Sequence, residues 1–261
     1  KFDLITSFAI FYDVEDPNQF CADIKNILKP DGVWVCELSY LPLMLKNLTF
    51  DQICHEHVTY YSLKVFEKII NHNGLKLLDV KRNEINGGSI EIICSHENSK
   101  KNINYSLIND LKNDESKITK KSFSNFNKRI FKIKKDLRNF LSDKKDVSAY
   151  GASTKGNIVL NLCKLSSKEI AFVCDANRKK FGSFTPGSDI KIISKEKMRK
   201  IFPKYLLVLI WSFRKEVIKQ ELQYLKKGGK LVFALPKFHI VNKFNYKRYL
   251  KINFKEQSFR Y

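Results

Sequence analysis

The sequence predicts an α/β chain built as two sheet-bearing parts joined by a helical segment, and three observations predict it. A buried strand, a helix, a Lys-Pro-Asp-Gly turn and a second buried strand follow one another over residues 2–38, a βαβ unit and hence a parallel sheet. The same alternation restarts at Asp146. Between the two, from Asn98 to about Asp143, Lys, Asn, Ser, Asp and Glu dominate, and the apolar residues recur at spacings of three to four or their multiples.

Each element has a local reason. Phe2 to Phe8 is an apolar run of strand length. Asp16-Pro17 opens a helix to about Leu28, with Phe20, Ile24, Ile27 and Leu28 at helical spacing. Pro30-Asp31-Gly32 reads as a turn before the strand Val33 to Leu38. Leu41 to Phe50 is a short helix, and a polar-aromatic loop follows from Asp51 to Tyr61. Ser62 caps a helix that carries Val65, Phe66, Ile69 and Ile70 on one face and closes at Gly74. Lys76 to Arg82 and Ser89 to Ser95 form a hairpin through Asn86-Gly87-Gly88. Ile118, Phe126, Ile130, Ile133, Leu137 and Leu141 then mark one long amphipathic helix. In the last part, Val147–Tyr150 is a strand, Gly151-Ala152-Ser153 a turn and Thr154 to about Leu162 a helix. Strands at Ile170–Cys174, Tyr205–Trp211 and Lys230–Leu235 follow, with a helix over Phe213–Lys226 and a turn at Gly228-Gly229. About Asn242 to Tyr261 is basic, aromatic and unassigned.

Composition narrows the function classes. The 261 residues are 43% hydrophobic and include 20 Phe and 11 Tyr, enough for a sizeable core and against wholesale disorder. No stretch reaches the roughly 18 to 20 apolar residues of a membrane span, and no secretory signal opens the chain. The net charge of +21 comes mostly from Lys spread among many Asn and Ile, which points to AT-rich coding bias. A nucleic-acid footprint would instead cluster Arg and Lys on one face. The six cysteines lie far apart and none forms CxxC, so a zinc knuckle is not expected and reduced thiols in the cytoplasm are.

Three constellations carry chemistry. Phe50 to Tyr61 packs Cys54, His55, Glu56, His57, Tyr60 and Tyr61 into one loop after a sheet strand. Open α/β sheets place ligands at such loops when the strand end is the carboxyl end. Metal binding, structural support and general acid/base chemistry all stay open on these residues alone; His titrates near neutrality, and an adjacent carboxylate orients it. The second constellation is Phe2-Asp3-Leu4-Ile5 with Phe8-Ala9-Ile10-Phe11-Tyr12-Asp13 and Leu28-Lys29-Pro30-Asp31-Gly32. The third is Tyr150 to Asn157, a small-residue turn before a helix, readable as an anion site or as a plain tight turn.

The second constellation resembles the second half of a class I S-adenosylmethionine-dependent methyltransferase. Glu37-Leu38-Ser39-Tyr40, the Phe50-to-Tyr61 loop, Asn86-Gly87-Gly88-Ser89, Tyr150 to Asn157, Asp175, Pro186-Gly187 and Trp211-Ser212-Phe213-Arg214 extend the likeness over nearly the whole chain. In this order they resemble the sugar C-methyltransferases that act on nucleotide-linked 4-keto-deoxyhexoses. The resemblance implies residues 1–97 as the C-terminal half of a methyltransferase Rossmann-like domain, 98–145 as a helical connector and 146–261 as a second Rossmann-like domain. It also implies a chain that starts at the fourth strand of its methyltransferase domain. A Cys-rich zinc segment and the Gly-rich cofactor loop would then lie upstream, leaving no metal site here.

The reaction so implied removes a proton alpha to a ketone, and the carbon then attacks the methyl group of S-adenosylmethionine. It needs a base near the carbon and stabilisation of the enolate oxygen. The resemblance makes His57 the base, has Glu56 orient the loop or bind substrate, and offers Tyr60 and Tyr61 as donors. Cys54 stands where the family often has Tyr; a thiol is a weaker donor than a phenol. His55 and Asn86 also depart from the family pattern, which bears on the sugar more than on the reaction. Ser7, Phe8, Ala9 and Ile10 would line the cofactor. Tyr40 and Ser89 would face a nucleotide-diphosphate sugar, and Gly151, Lys155 and Asn157 would close over its nucleotide. Rival readings are a non-catalytic nucleotide-sugar binding protein, a nucleic-acid methyltransferase suggested by charge alone, and a metal-dependent hydrolase using His55 and His57. The sugar, the carbon methylated and the oligomeric state stay open.

Overall fold

The computed structural model describes residues 1–252, so the end of the unassigned C-terminal segment lies outside the described residues. The chain forms two units, one of residues 1–47 with 55–125 and one of 48–54 with 126 onward.

In the first unit, β1 (Phe2–Phe8) runs parallel to β2 (Leu28–Ser39), with α1 (Pro17–Ile27) between them in sequence. The predicted start of α1 holds. The Asp16 carboxylate accepts from the Asn18 and Gln19 amides at 3.0 Å each, and Pro17 takes the first helical position, where its missing N–H costs nothing. The predicted turn at Pro30-Asp31-Gly32 does not hold, because these residues lie inside β2. Phe2 pairs with Leu28 and Leu4 with Val33, so the residues between bulge from a ladder that continues on both sides.

Next come α2 (Leu41–Asn47), α3 (Leu63–His72), β3 (Leu75–Asn83) and β4 (Ser89–His96). Ser62 caps α3 through the Val65 amide, as the sequence predicts. The hairpin also forms: β4 pairs antiparallel with both β3 and β2, and the sheet order is β1-β2-β4-β3. The core centres on Phe11, whose ring lies 4.9 Å from Phe66, 5.1 Å from Tyr61 and 5.9 Å from Trp34.

The predicted single long helix is two: α4 (Tyr105–Ser116) and α5 (Lys120–Asp143). The break lies at 117–119. There the Ile118 amide still bonds back to Glu115, while the Thr119 amide bonds to the Ser122 hydroxyl and starts a new helix. Phe126, Ile133, Leu137 and Leu141 form the buried stripe of α5, and Ile118 sits between the helices. The expected connector is thus shared: the two units divide inside α5, between residues 125 and 126.

The second unit carries β5 (Val147–Tyr150), α6 (Thr154–Leu162), β6 (Val173–Asp175), β7 (Ile192–Ser194), α7 (Lys195–Ile201) and β8 (Tyr205–Val208). It continues with α8 (Arg214–Gln220), α9 (Leu222–Lys226), β9 (Lys230–Phe233), β10 (His239–Val241) and α10 (Tyr246–Lys251). The order is β10-β9-β8-β5-β6-β7, parallel except for β10 at the edge. This is the doubly wound Rossmann-like arrangement that the sequence predicts. Its winding direction reverses between β5 and β8, the switch point where such sheets hold ligands beyond their carboxyl ends. The sequence reading missed β7, α7, β10 and α10, which are three to seven residues long. A window that short carries too little periodicity to mark an element.

Candidate functional site

β1 ends in the segment predicted to meet the cofactor. Its side chains divide. Ser7 is buried, and its Oγ accepts the Trp34 indole N–H at 2.9 Å. Phe8 and Ile10 are about half exposed, at 52% and 49%. Ala9 takes φ 56° and bonds its amide to the Glu37 carbonyl at 2.9 Å. The exit of the parallel pair therefore presents two apolar side chains and no free Ser7 hydroxyl, a lining suited to a flat, largely apolar group.

The chain then turns through Phe11–Asp13 into the reach of the loop histidine. The Tyr12 carbonyl accepts the amides of Val58 and Thr59, at 2.9 and 3.2 Å, which fixes the loop directly after His57. The His57 side chain is 12% exposed, its ring centroid 4.4 Å from Tyr12 and 6.3 Å from Tyr60. Its Nε2 lies 4.0 Å from Asp13 Oδ1, within ion-pair range though longer than a hydrogen bond. Burial holds the Asp13 carboxyl above its ordinary value; the nearby His57 opposes this and Glu56 adds to it. A largely buried histidine with a carboxylate at its ring edge suits proton transfer. The sequence alone assigns Asp13 no role, because the histidine it meets lies in a distant loop.

His55 and Glu56 lie outward. Their ion pair is 3.5 Å long, with the His55 side chain 92% exposed, and exposed pairs contribute little. Among the described residues, no three His, Cys, Asp or Glu side chains are placed to hold a metal ion together.

Three expected site residues are turned inward instead. Tyr40, 1% exposed, donates its hydroxyl to Glu115 at 2.8 Å. Tyr61, also 1% exposed, packs on Phe11 and bridges its backbone to Tyr40. Burial pushes its phenol above the ordinary value. Ser89 gives its hydroxyl to the Ile85 carbonyl at 3.0 Å. Each is spent on the core because the loop and the β2 exit must satisfy their polar groups internally. Nearer the surface, buried Glu37 accepts from Asn83 at 2.8 Å, and burial raises its carboxyl, with Asn83 opposing and Glu91 adding. Neither Glu37 nor Asn83 was among the expected site residues.

Cys54 belongs to the second unit with Asp51. The Asp51 carboxylate is 2% exposed and accepts the Trp211 indole N–H at 2.7 Å. Burial pushes its carboxyl up to about 6, against the effects of Trp211 and Lys155. Lys155, half-buried, is held below its ordinary value by burial, with Asp51 and Cys54 opposing. Asn157 has its Oδ1 buried without a hydrogen bond. Gly151, at φ 96°, lies against Ile210, where a Cβ would meet Ile210 at 2.7 Å. Three amides of the turn it opens are in use. The Gly151 amide goes to the Cys174 carbonyl, that of Ala152 to the Asp175 carboxylate and that of Gly156 to the Ser153 hydroxyl.

Comparison with known proteins agrees with this architecture. Residues 84–236 match the family described as C-methyltransferase C-terminal domain, and residues 1–80 match a methyltransferase domain. The C-methyltransferase NovU of Streptomyces niveus is 31% identical over 245 residues, covering 92% of this chain. The chain spans 58% of that relative's length. A chain in the solved complex containing the Haloferax volcanii Trm112 methyltransferase activator is 16% identical, with a TM-score of 0.32. That alignment covers 36% of this chain and 54% of the other, too slight a likeness to bear on the fold.

Proposed function

The chain belongs to the C-methyltransferase family, and from that premise we propose that it serves transfer of a methyl group to a sugar carbon alpha to a ketone, in a nucleotide-linked deoxysugar. The observation that carries the reading is His57, set against Asp13 beside the carboxyl end of β1. S-adenosylmethionine, when bound, supplies an electrophilic methyl group; Phe8 and Ile10 offer the exposed apolar surface to hold it. His57 takes the proton from the carbon alpha to the ketone, and the electron pair left behind delocalises onto the ketone oxygen. Asp13 stabilises the imidazolium so formed and holds the ring's edge, which is the usual service of a carboxylate to a catalytic histidine. Tyr60, half-buried with its ring 6.3 Å from that of His57, is the phenol assigned here to the enolate oxygen. Glu56, exposed at the loop surface, contacts substrate or orients the loop.

The test is incubation of the intact parent of this chain, with the upstream cofactor loop that the resemblance implies, with S-adenosylmethionine and a deoxythymidine-diphosphate-linked 4-keto-deoxyhexose, the product being read by mass spectrometry and NMR. A carbon-bound methyl group is expected; a methyl on oxygen, or no product, would overturn the reading. His57→Ala is expected to cost about 10²- to 10⁴-fold in turnover, the usual worth of a general base. It should also stop exchange of the alpha proton with solvent deuterium while cofactor affinity stays unchanged. Undiminished exchange would remove His57 from the base role.

A further inference from the structure

The second sheet's switch point lies beyond the carboxyl ends of β5 and β8, and in such sheets that crevice holds a ligand. Here a piece of this chain is there. Lys155 comes from the first turn of α6, directly after β5, and Trp211 lies three residues past β8. Asp51 joins them: its Oδ2 accepts from Trp211 Nε1 at 2.7 Å, and its charge acts on Lys155. The turn that carries it, Phe50–Gln52, is buried throughout, at 2%, 2% and 0% exposure. Two further observations are independent of Asp51. The Gly151, Ala152 and Gly156 amides of the β5–α6 turn are bonded to Cys174, Asp175 and Ser153, and the Lys180 ammonium is bonded to the Ala152 carbonyl. A fixed carboxylate at that position also repels any anion.

We propose that the switch-point crevice of the second unit is a receptor for the chain's own Phe50–Gln52 turn, with Asp51 the docking carboxylate between Trp211 and Lys155, and that it is closed to nucleotides. Lys155 is thereby assigned to the turn rather than to a diphosphate. The groups that face Asp51 are Trp211 and Lys155; Cys54, four residues from the start of the turn, faces Lys155. Burial sets the carboxyl near 6, so Asp51 changes charge within an accessible pH range and Trp211 reports it.

The experiment uses the chain with its two tryptophans labelled with nitrogen-15. The indole N–H signals are followed from about pH 8 to about pH 5, a range that spans a raised carboxyl. Trp34, bonded to the Ser7 hydroxyl, is the internal control. The Trp211 signal is expected to titrate with one midpoint near the Asp51 value while Trp34 stays still. Trp211→Phe identifies the titrating signal by removing it, and Asp51→Asn keeps the acceptor and should leave Trp211 flat. A far-ultraviolet circular dichroism spectrum and a cooperative thermal transition like the parent's show that the variant has folded. A Trp211 signal that is flat in the parent chain, or still titrates in Asp51→Asn, would overturn the proposal. Uridine diphosphate at millimolar concentration should leave Trp211 in place; a saturable shift would show the crevice open and overturn it too. None of these readings depends on methyl transfer, so failure of the proposed activity leaves them standing.

Discussion

Gly88 shows how much a single residue fixes in this chain. Its φ is 143°, and an added Cβ would lie 2.7 Å from Leu43 Cβ and 3.1 Å from the Asn47 amide nitrogen. Gly182, at φ 85°, has open space around it. Both positions strain an L residue, at about 1 to 2 kcal/mol, but only Gly88 adds an overlap that packed α2 must absorb, worth about 1 to 3 kcal/mol more. Gly88→Ala should therefore lower the urea midpoint clearly more than Gly182→Ala. Equal effects would mean that α2 moves aside freely. The same contrast between space and chemistry applies to the predicted site. Residue type points to Tyr40, Tyr61 and Ser89 as site residues, but they have partners inside the core, while Asp13, to which the sequence assigns no role, meets the histidine.

At the scale of elements, Glu115 ties three pieces of the first unit together. Its carboxylate, 7% exposed on α4, accepts the Tyr40 hydroxyl after β2 and the amides of Leu63 and Lys64 at the start of α3. A negative group there also suits the positive end of the α3 dipole. Removing it orphans three donors, each costing about 1 to 3 kcal/mol if buried. Glu115→Ala should thus destabilise by about 3 to 5 kcal/mol, discounting for water reaching Lys64. Glu115→Gln, which keeps acceptor capacity, should destabilise less. Chemical denaturation followed by tryptophan fluorescence separates the two, and equal losses would mean that the charge rather than the acceptors carries the effect. Glu115 also explains the missed break between α4 and α5. Sequence periodicity runs through 98–143 because both helices bury one face, but a helix whose last turn is fixed to α3 cannot also follow the line of the next.

At the scale of the whole molecule, two contrasts follow from burial. Cys21, Cys36, Cys94, Cys163 and Cys174 are buried, and Cys54 is half-exposed. Burial pushes the Cys21 and Cys36 thiols up to about 12 and Cys163 up to about 11. A thiol reagent should therefore modify one cysteine of the native chain quickly and the rest only on unfolding. Rapid modification of two or more would mean that a core opens readily. The second contrast is pH dependence. Asp51 has an ordinary value of 3.8, raised to about 6 by burial. The native state therefore holds its proton over a range where the unfolded chain has lost it, so this group's contribution to stability falls as pH rises from about 4 to about 6, by about 3 kcal/mol in all. Asp51→Asn should remove that fall. The difference between parent and variant, measured at several pH values, isolates it from groups such as Asp3 and Asp114, whose ion pairs act in the opposite direction.

The sequence by itself determined the elements with local signals: the Asp16-Pro17 start, the Ser62 cap, the hairpin through Gly87-Gly88, the restart at Asp146 and the loop that holds His57. Caps, turns and periodicity are set by residues within about ten positions of one another, so they are legible in a single chain. The tertiary structure alone decided which polar side chains remain for chemistry. Tyr40 meets an acceptor 75 residues away, and Asp51 meets its indole 160 residues away. No local pattern encodes such pairs; they follow from the requirement that every polar group taken out of water find a partner wherever the folded chain brings one.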